Sequence, residues 1–394
     1  MKLALICTEK LPSPAIKGGA IQIMIDGVAP FLSKKHQLTI YSITDPKLAR
    51  KGKHNGISYI RFPSGSFVSS VAKSLAAEKF DVVHIFNRPK NAIMFKKAAP
   101  QSRFVVSLHN EMFAPKKLTH AQGKKVLASV DKIMTVSNYM GRTVTRRFTQ
   151  AKSLVKTVYS GLNIDTYIPS WTHEAQSIRE KVRKKFGIEG KKVILFVGRL
   201  SDKKGPHVLI RSMKQILMRH KDAVLVIVGG KWFSDNSVDD YVRSLYKLAR
   251  PYGKKIIFTK YIPNDQMPHH YLMADVFVCS SQWQEPLARV HYEAMGAGLP
   301  IITTNRGGNP EVIKHRDNGL VVKAYTKPSA FASDINYMLS NPTEAMRMAK
   351  NGRNFVVKNF TFEHVAKRLN AVYTKAYQKR AKLSSERLNG ATSI

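Results

Sequence analysis

Acidic side chains are scarce in this chain. Only 26 Asp and Glu stand against 65 Lys and Arg, a formal net charge of +39 over 394 residues. So one-sided a balance favours anionic partners: acidic lipid surfaces, polyanionic glycopolymers or phosphorylated substrates. Nucleic acid carries the same sign of charge. However, zinc-finger spacing, an RNA-recognition motif and a basic zipper are all missing, so no specific nucleic-acid binding is expected. Cysteine is nearly absent too. Cys7 and Cys279 each close an apolar run, which argues against a disulfide framework and for buried thiols in a reducing, cytoplasmic compartment. No apolar run reaches the roughly 18–20 residues that span a bilayer. The run Met1–Cys7 is followed by Glu9 and Lys10 with no small-residue cleavage site; it reads as a buried first strand and not as a signal peptide. Asp-x-Asp occurs nowhere, and no His/Cys cluster has metal-ligand spacing. A metal cofactor is therefore not demanded.

What is present is a globular composition, 43% hydrophobic and 9% aromatic, over a length that suits two domains. Short Val- and Ile-rich runs without alternation recur from end to end. In the first half they are Leu3–Cys7, Leu38–Ile43, Val82–Phe86, Phe104–His109, Ile133–Ser137 and Thr157–Ser160. In the second half they are Val193–Val197, Ala223–Val228, Ile256–Phe258, Val276–Cys279, Pro300–Thr304 and Leu320–Val322. Such runs predict strands covered on both faces. Amphipathic stretches such as Ala20–Leu32, Leu118–Ser129 and Val208–Arg219 lie between them. Alternating units of this kind build doubly wound parallel sheets. The expected fold class is α/β, with two Rossmann-like domains: residues 1–169, a polar connection over 170–192, and residues 193–361. A last helix, about 362–380 with a basic end from Lys375 to Lys382, is solvated or packs back on the first domain.

In open α/β sheets ligands bind beyond the carboxyl ends of the strands. After Val276–Cys279 comes a segment that holds Glu285-Pro286-Leu287-Ala288-Arg289 and, eight residues after the first glutamate, Glu293. Pro286 suits a helix start, and free amides of Leu287, Ala288 and Arg289 would then face a diphosphate. Eight residues of helix advance about 12 Å, so the two carboxylates are expected at different parts of one extended ligand. A glycosidase pair would flank one bond with carboxyls roughly 5–9.5 Å apart, and two helix-surface glutamates are the plainest alternative. After Val193–Val197 comes Gly198-Arg199, then Lys204-Gly205. An Arg and a Lys in a glycine-containing loop that opens a helix can converge on the same diphosphate.

In combination, Gly198-Arg199-Leu200, Lys204-Gly205, Glu285-Pro286 and Glu293-Ala-Met-Gly-Ala-Gly-Leu-Pro300 resemble the retaining glycosyltransferases of family four. The resemblance covers nearly the whole chain and implies the GT-B fold, two Rossmann-like domains facing a cleft. Within that family, Ala288-Arg-Val-His-Tyr-Glu293 and Thr304-Asn-Arg-Gly-Gly-Asn309 are similar to the spore-coat-associated enzymes of bacilli. The resemblance implies that Arg199 and Lys204 hold the diphosphate and stabilise the leaving group. It also implies that Glu285 binds donor-sugar hydroxyls and Glu293 the ribose, with the base beside Tyr261 and Ile262. A nucleoside diphosphate sugar, favoured as a UDP-sugar, is the implied substrate. Many relatives have Phe-Gly where this chain has Leu287-Ala288.

Two features of the first half join this set. Gly18-Gly19 precedes the helix Ala20–Leu32, where glycine permits close backbone approach to a phosphate or a sugar; a plain turn explains it equally well. His109 closes a strand at the ligand-binding end. A lone histidine is more often structural, but the resemblance implies a place near the donor sugar. Basic pairs such as Lys116-Lys117, Lys124-Lys125 and Arg146-Arg147 point to an anionic acceptor or an anionic membrane surface. The expected activity is hexosyl transfer to an acceptor hydroxyl in cell-surface or spore-coat glycan synthesis. A sugar-nucleotide epimerase of the same fold and a non-enzymatic basic coat protein are the alternatives.

Overall fold

The computed structural model describes residues 1–232 and 235–391, with side chains as far as residue 378. The chain divides into two units. Unit 1 is Met1–Ser160 together with Phe362 onward, and unit 2 is Gly161–Thr361.

Unit 1 is built on eight strands: β1 (Lys2–Ile6), β2 (Gln37–Ile43), β3 (Lys51–His54), β4 (Ile57–Phe62), β5 (Val82–Phe86), β6 (Arg103–Leu108), β7 (Lys132–Thr135) and β8 (Val155–Thr157). They run in the order β3-β4-β2-β1-β5-β6-β7-β8. Its helices are α1 (Ala20–Ser33), α2 (Phe67–Ala77), α3 (Asn91–Ala98), α4 (His120–Ser129) and α5 (Asn138–Arg147). All of β5 is buried, as expected of a strand covered on both faces by crossover helices. The sheet is not wholly parallel. β3 pairs antiparallel with β4 through the turn Asn55-Gly56, whose φ angles of +48° and +78° are those of the tight hairpin turn that Asn-Gly favours.

Unit 2 carries six strands: β9 (Lys192–Val197), β10 (Ala223–Val228), β11 (Ile256–Lys260), β12 (Val276–Cys279), β13 (Ile301–Thr304) and β14 (Leu320–Val322). Their order is β11-β10-β9-β12-β13-β14, and every pairing is parallel. Its helices are α6 (His173–Phe186), α7 (Pro206–Arg219), α8 (Asp240–Ala249), α9 (Met267–Tyr271), α10 (Val290–Gly296), α11 (Pro328–Ser340) and α12 (Pro342–Asn359). A last helix, α13 (Phe362–Ala391), belongs to unit 1. There the Tyr373 hydroxyl lies 2.7 Å from Nδ1 of His84 on β5. Part of its basic end, the side chains of Lys379, Arg380 and Lys382, lies outside the described residues.

The unit boundary differs from the sequence reading. Residues 161–169 go with unit 2, where the Leu162 N–H donates to the Phe360 carbonyl at 3.0 Å and Arg353 donates to the Tyr167 carbonyl at 2.9 Å. The stretch 170–192, read as a connection because it is charged, contains α6. Two of its charges are occupied in the sheet: Arg179 and Arg183 both bind Asp275, just before β12. Asp275 also accepts the Val193 N–H of β9 at 2.7 Å. A run of charge on a helix face thus clamps the sheet instead of linking domains.

Candidate active site

The two motif loops of unit 2 leave the sheet side by side, because β9 and β12 are neighbours. Beyond them the backbones are stitched together. The Ser280 hydroxyl lies 3.0 Å from the carbonyls of both Lys204 and Gly205, and the Gln282 N–H donates to the Lys203 carbonyl at 2.8 Å. Gly205 adopts φ +72°, and a Cβ there would stand 2.2 Å from the Ser280 carbonyl. Only glycine fits so close an approach.

The stitching brings Lys204 and Glu285 together. The Lys204 ammonium donates to Glu285 Oε2 at 2.7 Å, and the Ser281 hydroxyl and the Trp283 indole N–H donate to the same oxygen at 2.8 Å each. Glu285 is only 5% exposed. Burial pushes its carboxyl up, but the Lys204 charge and the three hydrogen bonds outweigh that effect and hold it below the usual carboxylate range. Arg199 is half-buried, with its guanidinium 4.4 Å from the centroid of the Trp232 ring. Burial lowers its pKa, and the Glu285 charge opposes that shift. One carboxylate therefore bonds Lys204 and acts electrostatically on Arg199 of the neighbouring loop.

The helix expected at Pro286 does not begin there. α10 starts at Val290 and spans seven residues; residues 286–289 form an irregular turn. The reason is local. The Ala288 N–H is directed at the Asn309 side-chain oxygen, 3.4 Å away, and the Glu285 carbonyl accepts from the Gly308 N–H at 2.8 Å. The loop after β13 thus takes up the Glu285 carbonyl, which a helix would have used, and faces the Ala288 amide that such a helix would have left free. It passes so close that a Cβ on Gly307, at φ +57°, would lie 1.9 Å from the Glu285 carbonyl. Leu287, Ala288 and Arg289 are accordingly a turn beneath this loop, and the 12 Å helical advance has no basis here.

Glu293 sits in a network of its own. Its Oε2 accepts from the Tyr271 hydroxyl at 2.8 Å, and Oε1 lies 3.4 Å from the Arg289 guanidinium, which also donates to the Gly161 carbonyl at 2.9 Å. Burial, and then the Glu293 charge, raise the Tyr271 hydroxyl pKa well above its usual value. Tyr261 and Ile262 follow β11, where the Tyr261 N–H donates to the Asn236 side chain at 2.8 Å and Ile262 is buried.

The remaining sequence candidates lie in unit 1. Gly18 and Gly19 have φ of +75° and +100° and lead into α1. His109 follows β6, its N–H donating to the Asn87 side chain at 3.1 Å. It flanks Phe86 at 5.9 Å, and His84 stacks on the same ring at 4.1 Å. Burial, and after it the neighbouring His109, push His84 down to about 3.

Four contributors were not singled out from sequence: Ser281, Trp283, Tyr271 and Asn309. Ser281 and Trp283 stand four and two residues before Glu285, and that proximity was the available signal. Asn309 closes the Thr304–Asn309 motif, where it was given no role, and Tyr271 comes from another element and carries no local mark. Among the described residues, no group of three or more His, Cys, Asp or Glu side chains is placed to hold a metal ion. Cys7 and Cys279 are buried free thiols.

Comparison with known proteins places this geometry in context. Residues 178–355 match the model of glycosyl transferases group 1, and residues 21–166 that of Glycosyltransferase Family 4. The YtcC protein of Bacillus subtilis is 57% identical over 373 residues, covering 95% of this chain and 92% of that protein. Spore coat protein SA of Bacillus subtilis is 47% identical over 375 residues, covering 95% of this chain and all of that protein (100%). Among solved structures, Anabaena Alr3699/HepE in complex with UDP-glucose superimposes with a TM-score of 0.76 at 20% identity, over 95% of this chain and 99% of that one.

Proposed function

The chain belongs to the group 1 glycosyltransferases, and from that premise we propose that it is a retaining enzyme transferring a hexosyl group from a UDP-sugar to an acceptor hydroxyl. The observation that carries this reading is the buried Lys204–Glu285 pair, coupled to Arg199, where β9 and β12 end. Lys204 held by Glu285, with Arg199 within reach of the same charge, forms a preorganised site for a diphosphate, whose charge grows as the sugar leaves.

In this reading Lys204 and Arg199 bind the diphosphate. Glu285 keeps its hydrogen bonds to Ser281 and Trp283 on Oε2 and offers Oε1 to a hydroxyl of the donor sugar. Glu293, oriented by Tyr271, takes the ribose hydroxyls, and the base lies along Tyr261 and Ile262. The bond from the anomeric carbon to the phosphate oxygen breaks, and a bond to the acceptor oxygen forms on the same face. The acceptor proton passes to the departing phosphate oxygen, so no protein base is required. Arg199 and Lys204 supply the positive charge, and transfer proceeds without a metal. The identity to spore coat protein SA supports a role in coat or cell-surface glycan synthesis.

The test is a thermal-shift panel of UDP-glucose, UDP-N-acetylglucosamine, GDP-mannose and ADP-glucose, with and without EDTA. A UDP-sugar should stabilise the wild type, with or without EDTA, and should lose its effect in Arg199→Ala and Glu293→Ala. A wild type that no nucleotide sugar stabilises, or variants that retain the full shift, would sink the proposal.

A further inference from the structure

The charge excess is unevenly placed. Unit 1 carries 34 of the 65 basic residues but only 9 of the 26 acidic ones. The contrast is sharpest between residues 90 and 156, where Glu111 and Asp131 are the only acids. Both are engaged: Asp131 is 8% exposed and paired with Arg103, and the half-buried Glu111 accepts from the Tyr139 hydroxyl.

Topology places the basic residues of the helices in this stretch on one face of the sheet. β5, β6, β7 and β8 are successive neighbours in the sheet. The crossovers between them, α3, α4 and α5, all advance in one direction. Right-handed crossovers that advance the same way lie on the same face, and α3 packs beside α4.

Each of these helices turns an apolar side inward and a basic one outward. On α3, Ala92 and Phe95 are buried while Met94 and Lys97 are exposed, with Lys90 one turn before Met94. On α4, Gly123, Val126 and Leu127 are buried and Lys124 and Lys125 are exposed. On α5, Met140, Gly141 and Val144 are buried, and Arg142 and Arg146 point outward one turn apart. Met94 is 48% exposed and stands between two lysines at helical spacing.

We propose that this outward face of α3, α4 and α5 is a docking surface for an anionic lipid bilayer. The inference does not rest on the transfer reading and would hold for any catalytic role. Charge complementarity selects an anionic partner, and the layout selects a surface. Axes of packed helices stand about 8–10 Å apart, so three of them spread the cations across a broad patch and not along one groove that tracks a single polymer. An exposed methionine between lysines suits the boundary between headgroups and acyl chains. Among the described residues, no helix is long and apolar enough to cross a membrane, so the attachment is peripheral.

Each basic residue at an anionic leaflet contributes about fivefold to partitioning. The test is co-sedimentation of the full chain with vesicles of equal parts phosphatidylglycerol and phosphatidylcholine, and with phosphatidylcholine alone. Wild type should bind the anionic vesicles only and be released by high salt. Replacing Lys124, Lys125, Arg142 and Arg146 together by Gln should lower binding by roughly a hundredfold or more, with circular dichroism unchanged. A control with the same charge loss on unit 2, at the exposed Lys214, Lys221, Lys247 and Lys254, should bind within about twofold of wild type, since its changes lie off the proposed surface. Equal losses in both variants would reduce the effect to net charge and overturn the assignment. So would a wild type that ignores anionic vesicles, or one that soluble polyglutamate strips from them at equal charge, which would make the partner a soluble polyanion.

Discussion

Consider Lys204→Met, which removes the ammonium but keeps most of the apolar stem. In the wild type the Glu285 carboxyl lies below its ordinary range because the Lys204 charge and three donors outweigh its burial. A carboxyl of this kind stabilises the fold fully above its unfolded pKa, about 4.3. That contribution is lost as pH falls through the lower folded value. Without Lys204 the Ser281 and Trp283 donors and the unbonded Arg199 charge remain, and burial outweighs them. The carboxyl then rises above its unfolded value and the sign reverses: its contribution is present at acid pH and lost as pH rises through the folded pKa. Removing one partner of a fully buried pair costs about 3–5 kcal/mol. Lys204 is 20% exposed at its side chain, and two donors persist, so about 2–3 kcal/mol is the appropriate figure. For a unit of this size that is roughly 5–10 °C in Tm. Scanning calorimetry of both proteins at pH 7.5 and pH 4 reads the effect. The variant should be clearly less stable at pH 7.5 and should close much of the gap at pH 4. A deficit equal at both values, or none at all, would refute the electrostatic account of this pair.

Two further outcomes follow from packing and from burial. In Gly307→Ala the new methyl would lie 1.9 Å from the Glu285 carbonyl, at φ +57°, so the loop must move; urea denaturation should record a loss of about 2–4 kcal/mol, and a loss under half of that would show the contact to be slack. His84, pushed down to about 3, is neutral when folded across the range where an unfolded histidine protonates. Stability from this group is therefore present above pH 6.5 and falls by about 3–5 kcal/mol as pH approaches 3. His84→Gln keeps an acceptor for the Tyr373 hydroxyl and should flatten that acid limb; an unchanged acid limb would assign it to other groups.

The buried strands were legible because they obey a single rule. β5, β10, β12 and β14 occupy the very runs read from Val and Ile enrichment, since strands covered on both faces leave continuous apolar text. β3 was illegible for the opposite reason: Lys51–His54 is exposed throughout, and only the Asn-Gly turn marks it. The stretch 170–192 misled because a helix that clamps the sheet through Arg179, Arg183 and Asp275 has the composition of a solvated linker. Partners distant in sequence, such as Asp275, cannot be read from local text.

The paired glutamates show the same division more finely. Their separation was argued from a helix beginning at Pro286, and that helix is not there. What distinguishes them is their company: Glu285 answers to Lys204, Ser281 and Trp283, and Glu293 to Tyr271 and Arg289. The loop that abolished the helix, Thr304–Asn309, also alters the meaning of Leu287-Ala288. Ala288 is 6% exposed, with its N–H directed at Asn309, so its methyl is absorbed in packing and does not stand in an open approach. The methyl that stands where the family usually has glycine is therefore buried. In the proposed function, donor choice is then assigned to the base, beside Tyr261, whose N–H donates to Asn236, and to the sugar, beside Glu285.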